Sequence, residues 1–304
     1  MVERFQVSLS DQGRRLDQFL ADHAVGLSRT RARKIIDIGG VQVDGKRARQ
    51  AGLSLEPGQR IELYQDGGSL DPYRIAPAQI VFQDAYIIVI DKPSGVETQP
   101  TPARYRGTLY EALQVLLERD KRFGRKLEIG MVQRLDRDTS GLIVFSIHPR
   151  AHKGLSAQML SRSLTKVYQA LVSGTPDPAA GMIRSRLLRE RRTGMMKSVA
   201  RGGREAITAY RVLQTRTGPI DVSLVEVELV TGRTHQIRAH LSEAGHPLLG
   251  DRRYGGVLEL RGCRFTRHLL HSARLKLVHP VSGRPLEFTA PLPTDMDIER
   301  FNRR

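Results

Sequence analysis

Arg134-Leu135-Asp136-Arg137-Asp138-Thr139-Ser140-Gly141 runs straight into the wholly apolar Leu142-Ile143-Val144-Phe145. An acid flanked by two arginines at the mouth of a buried strand costs stability unless it has partners or work to do. Alone, an Arg-Leu-Asp tripeptide reads as a salt-bridged turn. This octet, however, sits among strands. Ile80-Val81-Phe82 and Tyr86-Ile87-Ile88-Val89-Ile90 precede it, and strands at 166–172, 206–213 and 222–230 follow. Ser223, Val225, Val227 and Leu229 alternate with outward groups, as a half-buried strand requires. Helices are expected after the capping pair Thr108 and Glu111, near 151–161, and over 234–244, capped by Thr234 and stopped by Gly245. Neighbouring strands that need no crossover helix predict an α+β fold with a mixed, mainly antiparallel sheet flanked by helices and loops.

Ahead of that sheet, residues 14–64 read as a small unit of their own. Leu16, Phe19 and Leu20 recur at i, i+3 and i+4, giving one helix an apolar face. Ser28 is a suitable N-cap for a second helix that ends at Gly39-Gly40. In it Ala32, Ile35 and Ile36 face inward, and Arg29, Arg31, Arg33 and Lys34 spread over the outer surface. Val41 and Val43 then alternate into the hairpin turn Asp44-Gly45. The stretch 65–77 is polar, holds two prolines and reads as a linker. The expected organisation is a small domain over 1–70, a linker over 71–77 and a larger domain over 78–304. Within the larger one, 118–126 reads as a charged loop, and the basic run 183–204 as a hairpin arm or mobile loop.

Lys and Arg number 49 against 32 Asp and Glu, and a net charge of +17 points to nucleic acid or anionic lipid as partner. There is no Trp and no basic amphipathic helix with an aromatic face, so no membrane partner is expected. Cys263 is the single cysteine, which excludes an internal disulfide and a thiolate zinc cluster. No apolar run follows the first charges, so no secretory leader is expected, and the reading is of a cytoplasmic protein.

His235 and His240 lie five apart on an expected helix and share no face for a metal. Ser140 lacks a Gly-x-Ser-x-Gly elbow, and neither a P-loop nor Gly-x-Gly-x-x-Gly occurs. Neither a metal nor a nucleotide cofactor is expected. Asp136 and Asp138, two apart in one turn, are badly placed to flank a bond as a glycosidase pair. One catalytic carboxylate with a cationic partner fits better. Arg238 is a candidate partner, with a surface ion pair as the alternative.

The N-terminal pattern of helix, basic helix with Leu27-Ser28-Arg29, and hairpin from Gly40 to Lys46 resembles the S4-type RNA-binding domain, so Arg29 and Arg33 are expected to meet RNA phosphates. Downstream, Arg-Leu-Asp-x-Asp-Thr-Ser-Gly, Lys166-x-Tyr168, Thr-Gly-Arg-Thr-His-Gln-Ile-Arg-x-His, Gly245 to Gly255 and Leu269-Leu270-His271-Ser272-Ala273 follow in order. This set resembles the RluA family of pseudouridine synthases over about residues 78–293. The resemblance implies isomerisation of uridine in RNA, with the base detached from nitrogen and reattached through carbon five. It implies that Asp136 is the catalytic carboxylate, Tyr168 the aromatic against the target base and Arg238 the partner of Asp136. Leu270 matches a position that packs on the flipped base, and Arg134 and Arg233 are expected to bind substrate. Large-subunit (23S) ribosomal RNA is the implied substrate and a monomer the expected state. A tRNA substrate and a catalytically silent RNA-binding or ribosome-assembly factor are the alternatives. Two departures from the family pattern stand out. Gln133 replaces the usual His before Arg-Leu-Asp, predicting a local change of hydrogen bonding, and the stretch 92–100 lacks the usual Val-His-Pro ending.

Overall fold

The computed structural model describes residues 1–119, 128–218 and 220–301, so the charged loop read at 118–126 lies almost wholly outside the described residues. The chain forms two compact units. The first holds β1 (Val2–Gln6), α1 (Leu16–His23), α2 (Arg29–Ile38), β2 (Val41–Val43), β3 (Lys46–Arg47) and β4 (Arg60–Tyr64). Its four strands pair antiparallel in the order β1-β4-β2-β3. Phe19, Leu20, Ile35, Ile36, Ile61 and Leu63 form its core, so the inward faces are those the periodicity predicts. The Ser28 hydroxyl accepts the Arg31 N–H at 3.2 Å, and α2 stops at Gly39, whose φ of 88° suits glycine.

The basic face of α2 is drawn together more tightly than expected. Asp17 of α1 is fully buried, and Nε of Arg15, Arg29 and Arg33 converge on it at 3.1, 3.1 and 2.9 Å. Burial pulls this carboxyl upward, but hydrogen bonds from Arg15 and Arg29 outweigh it and hold the group below its ordinary range. The arginines keep 41–55% of their side-chain surface exposed, so the acid orients them without hiding them.

Where the sequence suggests a simple break over 71–77, the chain returns to this unit later. The stretch that starts at Gly95 and includes α3 (Leu109–Glu118) packs with the N-terminal elements. The buried Arg104 forks onto Asp66 with two bonds of 2.6 Å and donates to the Ser69 carbonyl at 3.0 Å. Arg47 donates to the Thr101 carbonyl at 2.8 Å. Part of the polar stretch read as linker is therefore fastened, by partners too distant in sequence to be anticipated. Thr108 caps α3 through the Glu111 N–H, while the Glu111 carboxylate receives the Gly107 N–H at 3.1 Å in place of the cap's own.

The second unit is built on one large sheet. Its strands are β5 (Ile80–Gln83), β6 (Ile87–Lys92), β7 (Gly130–Met131), β8 (Ser140–Ser146), β9 (Thr165–Ser173), β10 (Ala180–Arg189), β11 (Met196–Ser198), β12 (Arg204–Arg216), β13 (Val222–Leu229), β16 (Leu270–Val278) and β17 (Pro285–Thr289). The two-stranded ribbon β14 (Glu259–Leu260) and β15 (Cys263–Arg264) stands apart. The order is β11-β10-β12-β13-β9-β16-β8-β6-β5, with β17 on β16 and β7 on β8. Among the described pairs in this sheet, β8 and β16 are parallel and the others antiparallel, which is the mixed, mainly antiparallel sheet expected. Every residue of β8 is buried, as its apolar run requires for a central strand.

Helix α4 (Pro149–Leu160) starts two residues before the expected 151, because His148 serves as N-cap and Pro149 takes the first turn. Of the two readings of the basic run 183–204, hairpin arm or mobile loop, the structure shows the hairpin. The run forms β10 and its hairpin with β11 and β12, where exposed Arg184 and Arg186 alternate with half-buried neighbours.

Candidate active site

The octet 134–141 forms the turn that feeds β8. Its backbone is held from several sides. The Thr139 N–H closes the turn on the Asp136 carbonyl at 3.1 Å. The fully buried Lys92 ammonium donates to the Arg137 carbonyl at 2.9 Å, and Arg267 donates to the Asp138 carbonyl at 3.1 Å. Arg267 is itself forked onto Asp295 at 2.7 and 2.8 Å. Among the side chains, Asp138 pairs with Arg137 at 3.0 Å, Thr139 meets His268 Nε2 at 2.8 Å and Ser140 meets His271 Nδ1 at 2.9 Å. Asp138, Thr139 and Ser140 thus fasten the turn that carries Asp136. Gly141 ends it with φ +106°, and a Cβ there would lie 2.3 Å from the Ser272 carbonyl oxygen of β16. Only glycine lets β8 and β16 approach this closely.

Asp136 meets its cation across 102 positions of sequence: Arg238 Nη1 donates to Asp136 Oδ2 at 2.8 Å. Arg238 lies in α5 (Gln236–Glu243), which begins later than expected. Thr234 is not its cap. His235 holds that position with a left-handed φ of 50°, and no side chain caps the helix. The start is secured instead by Gln236, whose Oε1 accepts the Thr231 hydroxyl at 2.9 Å and the Arg233 N–H at 3.0 Å.

Asp251 completes the arrangement. It accepts Arg238 Nε at 2.6 Å and Nη2 at 2.9 Å, a two-pronged grip that aims Nη1 at Asp136. Gly250 before it has φ +76°, and a Cβ there would sit 1.9 Å from the Arg267 carbonyl oxygen. The Tyr254 ring lies under the guanidinium, 5.0 Å from its carbon. Burial works against the Arg238 charge, but the hydrogen bonds to Asp251 and the charge of Asp136 push its pKa up, so it stays protonated. Burial would likewise raise the Asp136 carboxyl, and nearby positive charge on His235 and Arg238 more than offsets it, leaving the acid below its ordinary range. His235 is itself pushed down to about 4, by burial first, so near neutral pH the lasting counter-charge is Arg238.

Tyr168 is buried in β9, opposite Ser272 of β16, and Leu270 pairs with Ala170. Tyr168 and Leu270 therefore project from the same face of the sheet on adjacent strands, two residues out of step. Burial and the Asp136 charge raise the Tyr168 phenol far above its ordinary range, so it stays protonated.

The structure thus brings Asp136 and Arg238 into contact, and Tyr168, which shares a sheet face with Leu270, lies within reach of the Asp136 charge. Arg134 is exposed, and Arg233 donates to the Glu205 carbonyl at 2.9 Å. Arg29 and Arg33 belong to the other unit. Gln133 is buried, and its amide nitrogen has no hydrogen-bond acceptor among the described residues. Sequence reasoning alone does not single out Asp251, Tyr254, His235 or His268. Asp251 and Tyr254 lie in a quoted motif, but an acid before Arg252 and Arg253 reads as a local ion pair.

A family model described as RNA pseudouridylate synthase matches residues 86–243, and an S4 domain model matches 14–61. A Chloroflexus aurantiacus protein named as an uncharacterized RNA pseudouridine synthase is 42% identical, covering 93% of this chain and 88% of its own length. The ribosomal large subunit pseudouridine synthase D of Zymomonas mobilis is 35% identical over 96% of this chain and 95% of its own. Among solved structures, human RNA Pseudouridylate Synthase Domain Containing 4 is similar with TM-score 0.57 and 26% identity, over 71% of this chain and 89% of that one.

Proposed function

The chain belongs to the RNA pseudouridylate synthase family, and on that premise we propose that it isomerises uridines of large-subunit ribosomal RNA with Asp136 as the reacting carboxylate. One observation carries the assignment of the acid: an ionised Asp136, partly exposed, is held at 2.8 Å by an arginine that a second buried acid fixes in place. A carboxylate kept charged in this way is a ready nucleophile or base and a poor proton donor.

In the reaction the bond from N1 to C1′ breaks and one from C5 to C1′ forms. A proton leaves C5 and one is taken up at N1, so the atoms balance within a single nucleotide. A stacked base must first leave its helix, at a cost of a few kcal/mol. Tyr168 and Leu270, side by side on the sheet, offer the flipped base an aromatic and an aliphatic surface. With its phenol held protonated, Tyr168 serves as a platform and hydrogen-bond donor; it is no ready base.

Two observations support the ribosomal substrate: the net charge of +17, and the name of the Zymomonas mobilis relative. Incubating the full chain with unmodified large-subunit ribosomal RNA, and separately with tRNA, followed by pseudouridine mapping, is expected to show modification at discrete uridines of the ribosomal RNA. Modification of tRNA alone would overturn the substrate, and none in either RNA would overturn the activity.

Arg29 and Arg33, oriented by Asp17, are proposed to meet RNA phosphates. Each phosphate contact adds about 0.7 to 0.9 to the slope of log affinity against log salt. The double variant R29A/R33A is expected to flatten that slope by about 1.5 while turnover on bound RNA stays within about twofold. An unchanged slope would assign this face another task.

A further inference from the structure

His235 stands beside the reacting acid and has no part in the reaction as drawn from Asp136, Arg238, Tyr168 and Leu270. Its Nε2 lies 3.8 Å from Asp136 Oδ2, the oxygen that Arg238 already holds at 2.8 Å. Its Nδ1 lies 3.0 Å from the Tyr254 hydroxyl. That hydroxyl also accepts the backbone N–H of Met196 at 2.9 Å. Met196 can only donate here, which leaves the phenol's own proton available to its other partner, His235 Nδ1. With Nδ1 accepting that proton, the imidazole carries its own on Nε2, the nitrogen facing Asp136.

The backbone agrees with a built arrangement. His235 has φ 50°, a left-handed conformation uncommon outside glycine that histidine adopts more readily than most residues, and it places the ring ahead of the helix. The side chain is 15% exposed and packs edge-on against the Tyr254 ring at 5.6 Å. The charged groups facing it are Asp136, Arg238, Arg253 and Asp251. With burial they leave the imidazole neutral near pH 7, so it acts as a dipole with a fixed direction.

We propose that His235 is a positioning residue of the reaction: in the tautomer imposed by Tyr254, its Nε2–H and the Arg238 guanidinium together hold Oδ2 of Asp136 and leave Oδ1 as the oxygen that meets the uridine. A shift of roughly 1 Å closes the present gap to hydrogen-bonding distance. Because the Tyr254 hydroxyl is anchored by β11, the basic hairpin and the reacting acid are joined through three successive polar contacts.

This inference rests on the reading of Asp136 as the reacting carboxylate, and the test separates the two. Asn is at ease in the left-handed region but its amide is too short to reach Asp136, so His235→Asn is expected to fold with an unchanged or raised Tm. Its kcat is expected to fall by about 10- to 100-fold with KM and RNA affinity within about threefold, the loss typical of a supporting partner that orients a reacting group. His235→Gln, with a longer amide, should recover part of that loss. Tyr254→Phe, which frees the tautomer, should lower kcat less than His235→Asn does.

The tautomer is read independently of any substrate, from nitrogen–proton correlations of histidine-labelled wild-type protein, with the signal assigned by its loss in His235→Asn. Nε2–H is expected in the wild type and a mixture in Tyr254→Phe. Either an Nδ1–H wild type or a His235→Asn variant with wild-type kcat would overturn the proposal. A wild type inactive on every RNA, yet showing the expected tautomer, would instead overturn the reading of the reaction and leave the orientation of His235 supported.

Discussion

Asp136→Asn is expected to abolish pseudouridine formation, lowering turnover on the order of 10⁴-fold or more, while RNA affinity stays within about threefold. The size of the effect follows from what the substitution removes. Asn keeps the shape and one oxygen that Arg238 can hold, but the amide is neither nucleophile nor base. The expected absence of a folding defect follows from the charges around Arg238. Asp136 and Asp251 share one guanidinium, and Asp251 alone takes two of its nitrogens, at 2.6 and 2.9 Å. Neutralising Asp136 leaves a complete one-to-one ion pair and relieves the remaining negative charge, so Tm should hold or rise. Active sites commonly trade stability for activity in this way. The measurement is pseudouridine yield under single turnover, with thermal unfolding of the same preparation. Wild-type yield from this variant would remove Asp136 from the reaction. A fall in yield matched by a fall in Tm would make it a structural residue.

The parts of this fold that were legible are those encoded by neighbours in sequence. The apolar run Leu142 to Phe145 could only be a buried strand, and the structure buries all four residues. Ser28 and Gly39 mark the ends of α2 because a cap and a left-handed stop act within a few residues. The fastening of the site was not legible, because it depends on approach in space. Lys92 grips the octet from 45 positions away, and Arg267 from 129. Nothing near either residue announces a carbonyl as its partner. By sequence spacing His235 reads only as a rejected metal ligand on an expected helix. Its left-handed backbone places it ahead of that helix and turns it toward Asp136, and no periodicity argument anticipates a single reversed residue. Similarly, the position of Arg104 in the chain assigns it to the larger domain, whereas its pairing with Asp66 ties it to the N-terminal unit.

Asp251→Asn should cost both activity and stability, which distinguishes the residue that aims the arginine from the one proposed to react. Arg238 is 7% exposed, so its charge depends on protein partners where water would otherwise serve. Removing one partner of a buried ion pair costs about 3 kcal/mol, since the other charge stays buried without full compensation. The remaining amide oxygen of Asn can accept one bond where the carboxylate accepted two, so the guanidinium is free to swing about that single contact. Asp136 is then held less firmly, because Arg238 Nη1 no longer approaches it from a fixed direction. Turnover is expected to fall by about 10²- to 10³-fold, the loss seen when a preorganised electrostatic contact goes. Lowering the salt should not restore it, because the lost contact lies beyond the reach of counterions. Urea unfolding read beside single-turnover kinetics decides the matter: a variant with wild-type stability would mean that Arg238 finds its compensation elsewhere. In Asp136→Asn the same arginine stays gripped and only the chemistry disappears. In Asp251→Asn the reacting acid remains but the group that orients it is loosened, so the pair of variants separates reactivity from orientation on one guanidinium.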